Sequence, residues 1–316
     1  MTGRVVLCDT WGEIADVAAP LAGLDVTVEL QQRVTPGPGI VALLAGPDTR
    51  VDAALLAALP DLRIVAATST GFDHLDVDAI ARAGVWATHV AGYCDGEVAD
   101  HTIAFVIDLL RGVTLLDRSV RSGAWDYAVA QPVRIAGATL GIVGFGRIGR
   151  AVAARAVALG MRVGAYDPVL TATTVAEHSV VVHPTLAGLL ATSDVVSLHA
   201  PLSDATRGLI DADALRVMRP GAFLVNCARA ALVDDAALGD ALVRGQLGGC
   251  ALDVLPTEPP GRDEPALTWP RTIINPHAAW ASPAAIREPY RRAAIGVAAL
   301  LRGDEPADVV ARPAAS

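Results

Sequence analysis

The strongest constraint on the fold is an alternation: short apolar, β-branched runs separated by alanine-rich stretches of helical period, repeated along most of a 316-residue chain. The runs fall at 4–8, 26–30, 40–45 and 63–67, then at 139–143, 162–166, 194–198, 222–226 and 272–275. Strands that are apolar along their whole length need cover on both faces, and a helix between successive strands supplies it. The alternation therefore predicts parallel sheets with helices on either side. Two series at this length predict two doubly wound α/β domains. Between them, the longest helical pattern runs from 97 to 121 with Ile103, Val106, Ile107, Leu110, Val113, Leu116 and Val120 in register. The spacing predicts one helix longer than most globular helices, suited to a domain bridge or a subunit contact. Segment 122–138 reads as a loop, and the tail 311–316 as disordered.

Composition narrows the chemistry. All 25 basic residues are arginine, so a lysine Schiff base and a P-loop lysine are excluded. The net charge of -9 and the scattered arginines argue against nucleic acid or an anionic membrane as the main partner. With 53% hydrophobic but only 4% aromatic residues, the core must be aliphatic. Charges, glycines and prolines break the apolar runs well short of the ~20 residues that a spanning helix needs. The first residues enter a strand without a signal-peptide pattern, and the four cysteines form no C-x-x-C pair. The expectation is a soluble, cytoplasmic protein with no metal site.

The second series opens on Thr139-Leu140-Gly141-Ile142-Val143-Gly144-Phe145-Gly146-Arg147-Ile148-Gly149. This places G-x-G-x-x-G directly between a strand and a helix. Gly144 would permit the tight turn, Gly146 would let the backbone approach a pyrophosphate, and Gly149 would let helix and strand pack closely. Amides of Arg147 and Ile148 at the helix start would receive the anion. Asp167, 18 residues past Gly149, ends the next run. It would accept hydrogen bonds from a ribose and repel a 2′-phosphate, and Pro168-Val169-Leu170 offers no arginine to neutralise one. These residues predict NAD rather than NADP.

Hydride exchange between a nicotinamide and a 2-oxo acid needs a cation for the carboxylate, a proton carrier near neutral pH, and a group that tunes it. Arg229 follows a run end, and its planar fork suits a carboxylate. Glu258 sits among Pro256, Pro259 and Pro260, and His277 follows Asn275-Pro276. An adjacent carboxylate would raise the pKa of His277 and keep it able to donate. Each has a plain structural alternative: a surface ion pair, a solvated loop residue, a strand-end histidine.

Taken in order, Ser69-Thr70-Gly71-Phe72-Asp73-His74-Leu75-Asp76, Glu97-Val98-Ala99-Asp100-His101-Thr102, the glycine turn with Tyr166-Asp167-Pro168, 193–202, 221–226 and Pro276-His277-Ala278-Ala279-Trp280 resemble the NAD-dependent D-isomer-specific 2-hydroxyacid dehydrogenases over nearly the whole chain. The nearest likeness is the branch holding the C-terminal-binding-protein corepressors and phosphoglycerate-dehydrogenase-like proteins. The resemblance implies a Rossmann NAD-binding domain at 99–280 inserted in a flavodoxin-like substrate domain made of 1–98 and 281–316. It implies Arg229, Glu258 and His277 as the catalytic trio, with NAD and a small 2-oxo or 2-hydroxy acid in the cleft. Ser69, Thr70, Gly71, Arg229 and Trp280 are the implied substrate residues. Thr102, His199, Ala200, Pro201, Thr206, Cys227, Ala228, Arg229, Asp253, His277 and Trp280 join the glycine turn and Asp167 in holding the cofactor. A homodimer built on the long helix is also implied.

The chain departs from the pattern where Ala230 follows Arg229, a position usually held by glycine. His101 is expected near the hinge, and His74, His89, His178 and His183 as solvated or core. The corepressor likeness supports a second reading, an NAD(H)-sensing binding protein, but the retained trio favours the enzyme.

Overall fold

A computed structural model describes residues 2–9, 11–170 and 179–314, so His178 lies outside the described residues. In chain order the strands are β1 Gly3–Cys8, β2 Val26–Gln31, β3 Ile40–Ala45, β4 Ile64–Ala67, β5 Trp86–Thr88, β6 Thr139–Val143, β7 Arg162–Tyr166, β8 Val180–Val182, β9 Val195–Leu198, β10 Ala222–Asn226, β11 Leu247–Leu252, β12 Thr272–Ile274 and β13 Val309–Ala311. They form two α/β units, Met1–Tyr93 with Ser282–Ser316, and Cys94–Ala281.

The first unit orders its sheet β13-β5-β4-β3-β1-β2, parallel except for the edge strand β13. Strand order reverses at β1 and β3, which puts a switch point at the carboxyl ends of these strands. One face buries Val6, Leu43, Val65 and Ile80 under the helices Ala53–Ala57 and Val77–Arg82. The other buries Leu7, Leu44, Ile64 and Val297 under Ile14–Ala18 and Glu288–Arg302. Asp52 and Asp76 start their helices by accepting backbone N–H groups of the first turn.

The second unit orders its seven strands β12-β11-β10-β9-β6-β7-β8, all parallel, with the reversal between β6 and β9. Leu140, Ile142 and Val163 pack beneath Asp95–Arg111 and Arg147–Ala158. Val196, Leu224 and Cys250 pack beneath Leu186–Leu190, Ala212–Val217 and Asp235–Val243. Aliphatic cover on both faces is what the apolar runs require.

Two expectations are corrected. The helix expected over 97–121 is two helices, Asp95–Arg111 and Val113–Arg121, divided at Gly112 with φ +65°. Asp108 makes the break. Its backbone carbonyl accepts the Gly112 N–H at 2.5 Å, and its carboxylate accepts the Thr114 N–H at 2.8 Å and the Thr114 hydroxyl. A Cβ on Gly112 would stand 2.5 Å from Ala130 Cβ, so glycine is needed for both conformation and space. The first helix buries Val98, Ile103, Val106 and Leu110, whereas the second buries nothing. Strands β5, β8, β11 and β13 were also not expected. β11 is the important one, because Gly248 and Gly249 interrupt its apolar pattern while its neighbours β10 and β12 hold it inside the sheet.

Candidate active site

β6 delivers the chain into the glycine turn. Gly144 has φ +89°, and a Cβ there would stand 2.5 Å from the backbone nitrogen of Ala200 in the loop leaving β9. Gly149 is equally constrained, since its Cβ would run into the Gly144 carbonyl oxygen. Gly146 differs: it caps the helix Arg147–Ala158, and among the described residues no side chain satisfies the first amides and nothing lies within 4 Å of where its Cβ would be. Open space at an uncapped helix start fits a pyrophosphate approaching the backbone at Arg147 and Ile148. Asp167 is fixed at the mouth of the turn, accepting from Phe145 N–H at 2.9 Å and Val169 N–H at 3.1 Å. Arg147 is paired with Asp95 at 3.1 Å. Spare lone pairs on Asp167, beside a compensated arginine, fit a dinucleotide with free ribose hydroxyls.

A second constellation forms at the ends of β10, β11 and β12. Asn226 shapes the first loop: its Oδ1 accepts from Ala228 N–H at 3.0 Å and its Nδ2 donates to the Arg229 carbonyl at 2.9 Å. Arg229 is extended at φ -142°. Ala230 opens a 3-10 turn and its φ is not positive, so alanine is unstrained there. Asp253, 1% exposed, straps down the loop after β12. Its carboxylate accepts Ala278 N–H at 2.9 Å and Ala279 N–H at 2.8 Å, while its carbonyl accepts His277 N–H at 2.8 Å.

This strap holds His277 at φ +51°, a conformation histidine tolerates better than most residues. The ring meets Glu258: His277 Nδ1 lies 2.7 Å from Glu258 Oε2, and Glu258 Oε1 accepts the Leu255 N–H at 2.9 Å. Burial pushes the Glu258 carboxyl up, but the hydrogen bonds from His277 and Leu255, with the charges of His277 and Arg229, outweigh it and hold the group below its usual value. With Nδ1–H donated to the carboxylate, Nε2 is the nitrogen left to exchange a proton. Both side chains remain over a third exposed.

The neighbours are of another kind. Burial pushes the Cys227 thiol up to about 12, so it is a neutral packing group. Burial pushes His199 down to about 4, and its Nε2 lies 2.8 Å from Ser197 Oγ. His199 is therefore a neutral ring at ordinary pH.

A family model described as "D-isomer specific 2-hydroxyacid dehydrogenase, NAD binding domain" matches residues 103–279. The chain belongs to this family. It is 41% identical to the (S)-sulfolactate dehydrogenase of Chromohalobacter salexigens over 77% of this chain and 79% of that one. It is 39% identical to a D-3-phosphoglycerate dehydrogenase of Mycobacterium tuberculosis over 75% of this chain, spanning only 44% of that longer relative. Among solved structures, the D-lactate dehydrogenase of Aquifex aeolicus with NAD and lactic acid superposes with a TM-score of 0.90 at 26% identity, covering 99% and 100% of the two chains. The protein is thus an oxidoreductase of the D-2-hydroxyacid type, with NAD as cofactor.

The remaining dehydrogenase residues expected from the sequence are dispersed. In the first unit, Ser69 Oγ donates to the Gly71 carbonyl at 2.6 Å, Thr70 Oγ1 donates to the Val90 carbonyl at 3.0 Å, and His89 Nδ1 lies 2.7 Å from the Thr70 carbonyl. The amides of Thr70 and Gly71 have no hydrogen-bond acceptor among the described residues. Thr206 closes the loop after β9 by donating to the Pro201 carbonyl at 2.6 Å. His101 Nε2 lies 2.9 Å from Asn275 Oδ1, and Trp280 is half-buried at the end of the strapped loop. Asn226 was missed as a positioning residue. An asparagine two residues before an alanine N–H at a strand end is an Asx-turn signal and marks it in retrospect.

Proposed function

We propose that the protein interconverts a small 2-oxo acid and its D-2-hydroxy acid, with His277 as the acid/base, Glu258 as its partner and Arg229 as the carboxylate-binding cation. The observation that carries this reading is the 2.7 Å bond between His277 Nδ1 and Glu258 Oε2. A carboxylate on Nδ1 fixes the tautomer, orients the ring and stabilises the imidazolium, so Nε2 can give a proton to a carbonyl oxygen and take it back. Arg229 cannot deprotonate, and its fork matches a carboxylate while polarising the neighbouring carbonyl. NAD(H), when bound, supplies or receives the hydride. Gly144, Gly146, Arg147, Ile148, Gly149 and Asp167 would hold its pyrophosphate and ribose. Thr102, His199, Ala200, Pro201, Thr206, Cys227, Ala228, Arg229, Asp253, His277 and Trp280 complete the proposed cofactor set. The first unit's proposed contribution is Ser69 with the Thr70 and Gly71 amides, as donors to the substrate carboxylate.

The working form is proposed to be a homodimer in the cytoplasm. Trp125, 91% exposed, together with Tyr127, Val113 and Val120, forms apolar surface on and after a helix that buries none of its own residues. All four cysteines are free thiols, the state a reducing compartment maintains. No described helix is long and apolar enough to cross a membrane. NADH oxidation with a panel of 2-oxo acids tests the activity, and tight NADH binding without turnover on any acid overturns it. Sedimentation tests the dimer: a single monomeric species at micromolar concentration rules it out.

A further inference from the structure

The loop that carries His277 has an anchor besides Asp253, and it comes from a helix rather than from the sheet. His101 stands in the second turn of the helix Asp95–Arg111, which packs on β10 and β11 within the second unit. Val98 and Phe105, one turn to either side of it, are buried. A hydrophobe at 101 would extend that buried stripe, so a polar ring there needs a partner.

The partner is Asn275. His101 Nε2 lies 2.9 Å from Asn275 Oδ1, and the ring stands edge-on to Phe105 with centroids 4.6 Å apart. Asn275 Nδ2 donates to the Ile274 carbonyl at 3.0 Å, which orients the amide and leaves Oδ1 as the acceptor. An amide oxygen only accepts, so His101 Nε2 carries the proton of this bond. The same Nε2 is 3.8 Å from Asp253 Oδ1, the carboxylate that straps the loop.

Asn275 precedes His277 by one proline. Its N–H donates to the Leu252 carbonyl at 2.9 Å, the His277 N–H to the Asp253 carbonyl at 2.8 Å, and the Asp253 carboxylate takes the next two amides. Those bonds all run to the end of β11. A loop hinged on one strand can still rock about it, and a bond to the helix layer removes that freedom.

Resting on the acid/base reading of His277 above, we infer that His101 is a positioning residue, which through Asn275 holds the His277 loop so that the ring keeps its bond to Glu258 while Nε2 exchanges the proton. Arg229 lies on the loop after β10, outside this tie. Loss of the tie should therefore spare carboxylate binding and slow the chemical step.

The test measures steady-state kcat and KM with NADH and a panel of 2-oxo acids in wild type, His101→Phe, His101→Gln, Asn275→Ala and the double variant of His101→Phe with Asn275→Ala. Phenylalanine keeps a ring against Phe105 without a donor, and glutamine keeps a donor without the ring. His101→Phe should lower kcat by ~10-fold or more, within the loss that a displaced reacting group can cause. KM for the oxo acid should stay close to wild type. His101→Gln should recover most of the lost kcat. Asn275→Ala should match His101→Phe, and the double variant should be no slower than either, because all three remove one bond. A loss confined to KM overturns the inference, as does a His101→Gln variant as slow as His101→Phe, or additive losses in the double variant. If His101→Phe folds poorly by its thermal melt, Asn275→Ala carries the test with the ring in place. A wild type inactive on every acid overturns the proposed function, and the inference with it. An active wild type whose variants keep its kcat overturns the inference alone.

Discussion

Asp253 and Glu258 follow the same strand, β11, five residues apart, and both act on the loop that carries His277, yet they do opposite jobs. Asp253 is buried, and its carboxylate is spent on two backbone amides, Ala278 and Ala279. It decides where the loop lies. Glu258 is over a third exposed and offers one oxygen to the Leu255 amide and the other to the His277 ring. It decides which tautomer the ring holds. The same functional group thus serves as scaffold where each oxygen meets a backbone donor, and as chemistry where one oxygen meets a titratable ring.

The sharpest test of this division is His277→Ala, expected to lower kcat by about 10³-fold or more, within the range for a lost general acid/base. Equilibrium NADH titration should show affinity within ~3-fold of wild type on the same reading. A large loss of NADH binding would make the residue scaffold instead. Glu258→Gln should lower kcat by ~10²-fold, because the amide leaves Nδ1 without a charged partner, while the urea unfolding midpoint moves little. Asp253→Ala should do the reverse in kind. Orphaning buried N–H groups costs about 2–5 kcal/mol, read as a lower urea midpoint. If Glu258→Gln moves the midpoint as far as Asp253→Ala, the distinction between the two carboxylates collapses.

The smallest expected effect is in pH. Glu258 has a folded pKa below its ordinary value. A carboxyl depressed on folding stabilises the native state above its unfolded pKa, and that contribution fades as pH falls through the folded value. The gap in unfolding free energy between wild type and Glu258→Gln should therefore narrow between about pH 5 and pH 3, given unperturbed carboxylates near 4. A gap that is constant or widens on acidification contradicts the hydrogen-bonded, ionised Glu258.

The glycine pattern of the cofactor turn was legible because it sits between a strand and a helix in one short segment, and two of its three glycines answer to backbone geometry. Gly144 and Gly149 are required by positive φ or by contact with a neighbouring carbonyl or amide, and Asp167 lies one strand away in a βαβ unit. Five strands of the second sheet, β6, β7, β9, β10 and β12, were legible in outline for a similar reason, their β-branched composition. β11 was not, since Leu247-Gly248-Gly249-Cys250 has no strand signature on its own and is a strand only because β10 and β12 flank it. The expected long helix failed at Gly112 because hydrophobic period continues through it, while the Asp108 side chain and the nearby Ala130 impose a break.

The sequence by itself therefore determined the two doubly wound sheets, the dinucleotide turn and the identity of the three candidate catalytic side chains, all of which depend on local pattern or on residue chemistry. The tertiary structure realises the His277–Glu258 pair that the family resemblance implies, and it alone decided that Asp253 is scaffold and that Asp9 ties Trp11 to Thr68. Those outcomes depend on side chains between 19 and 59 residues apart meeting within 3 Å, or on one carboxylate reaching a distant loop. Residue periodicity carries no information at that range, and close packing with complete hydrogen bonding does.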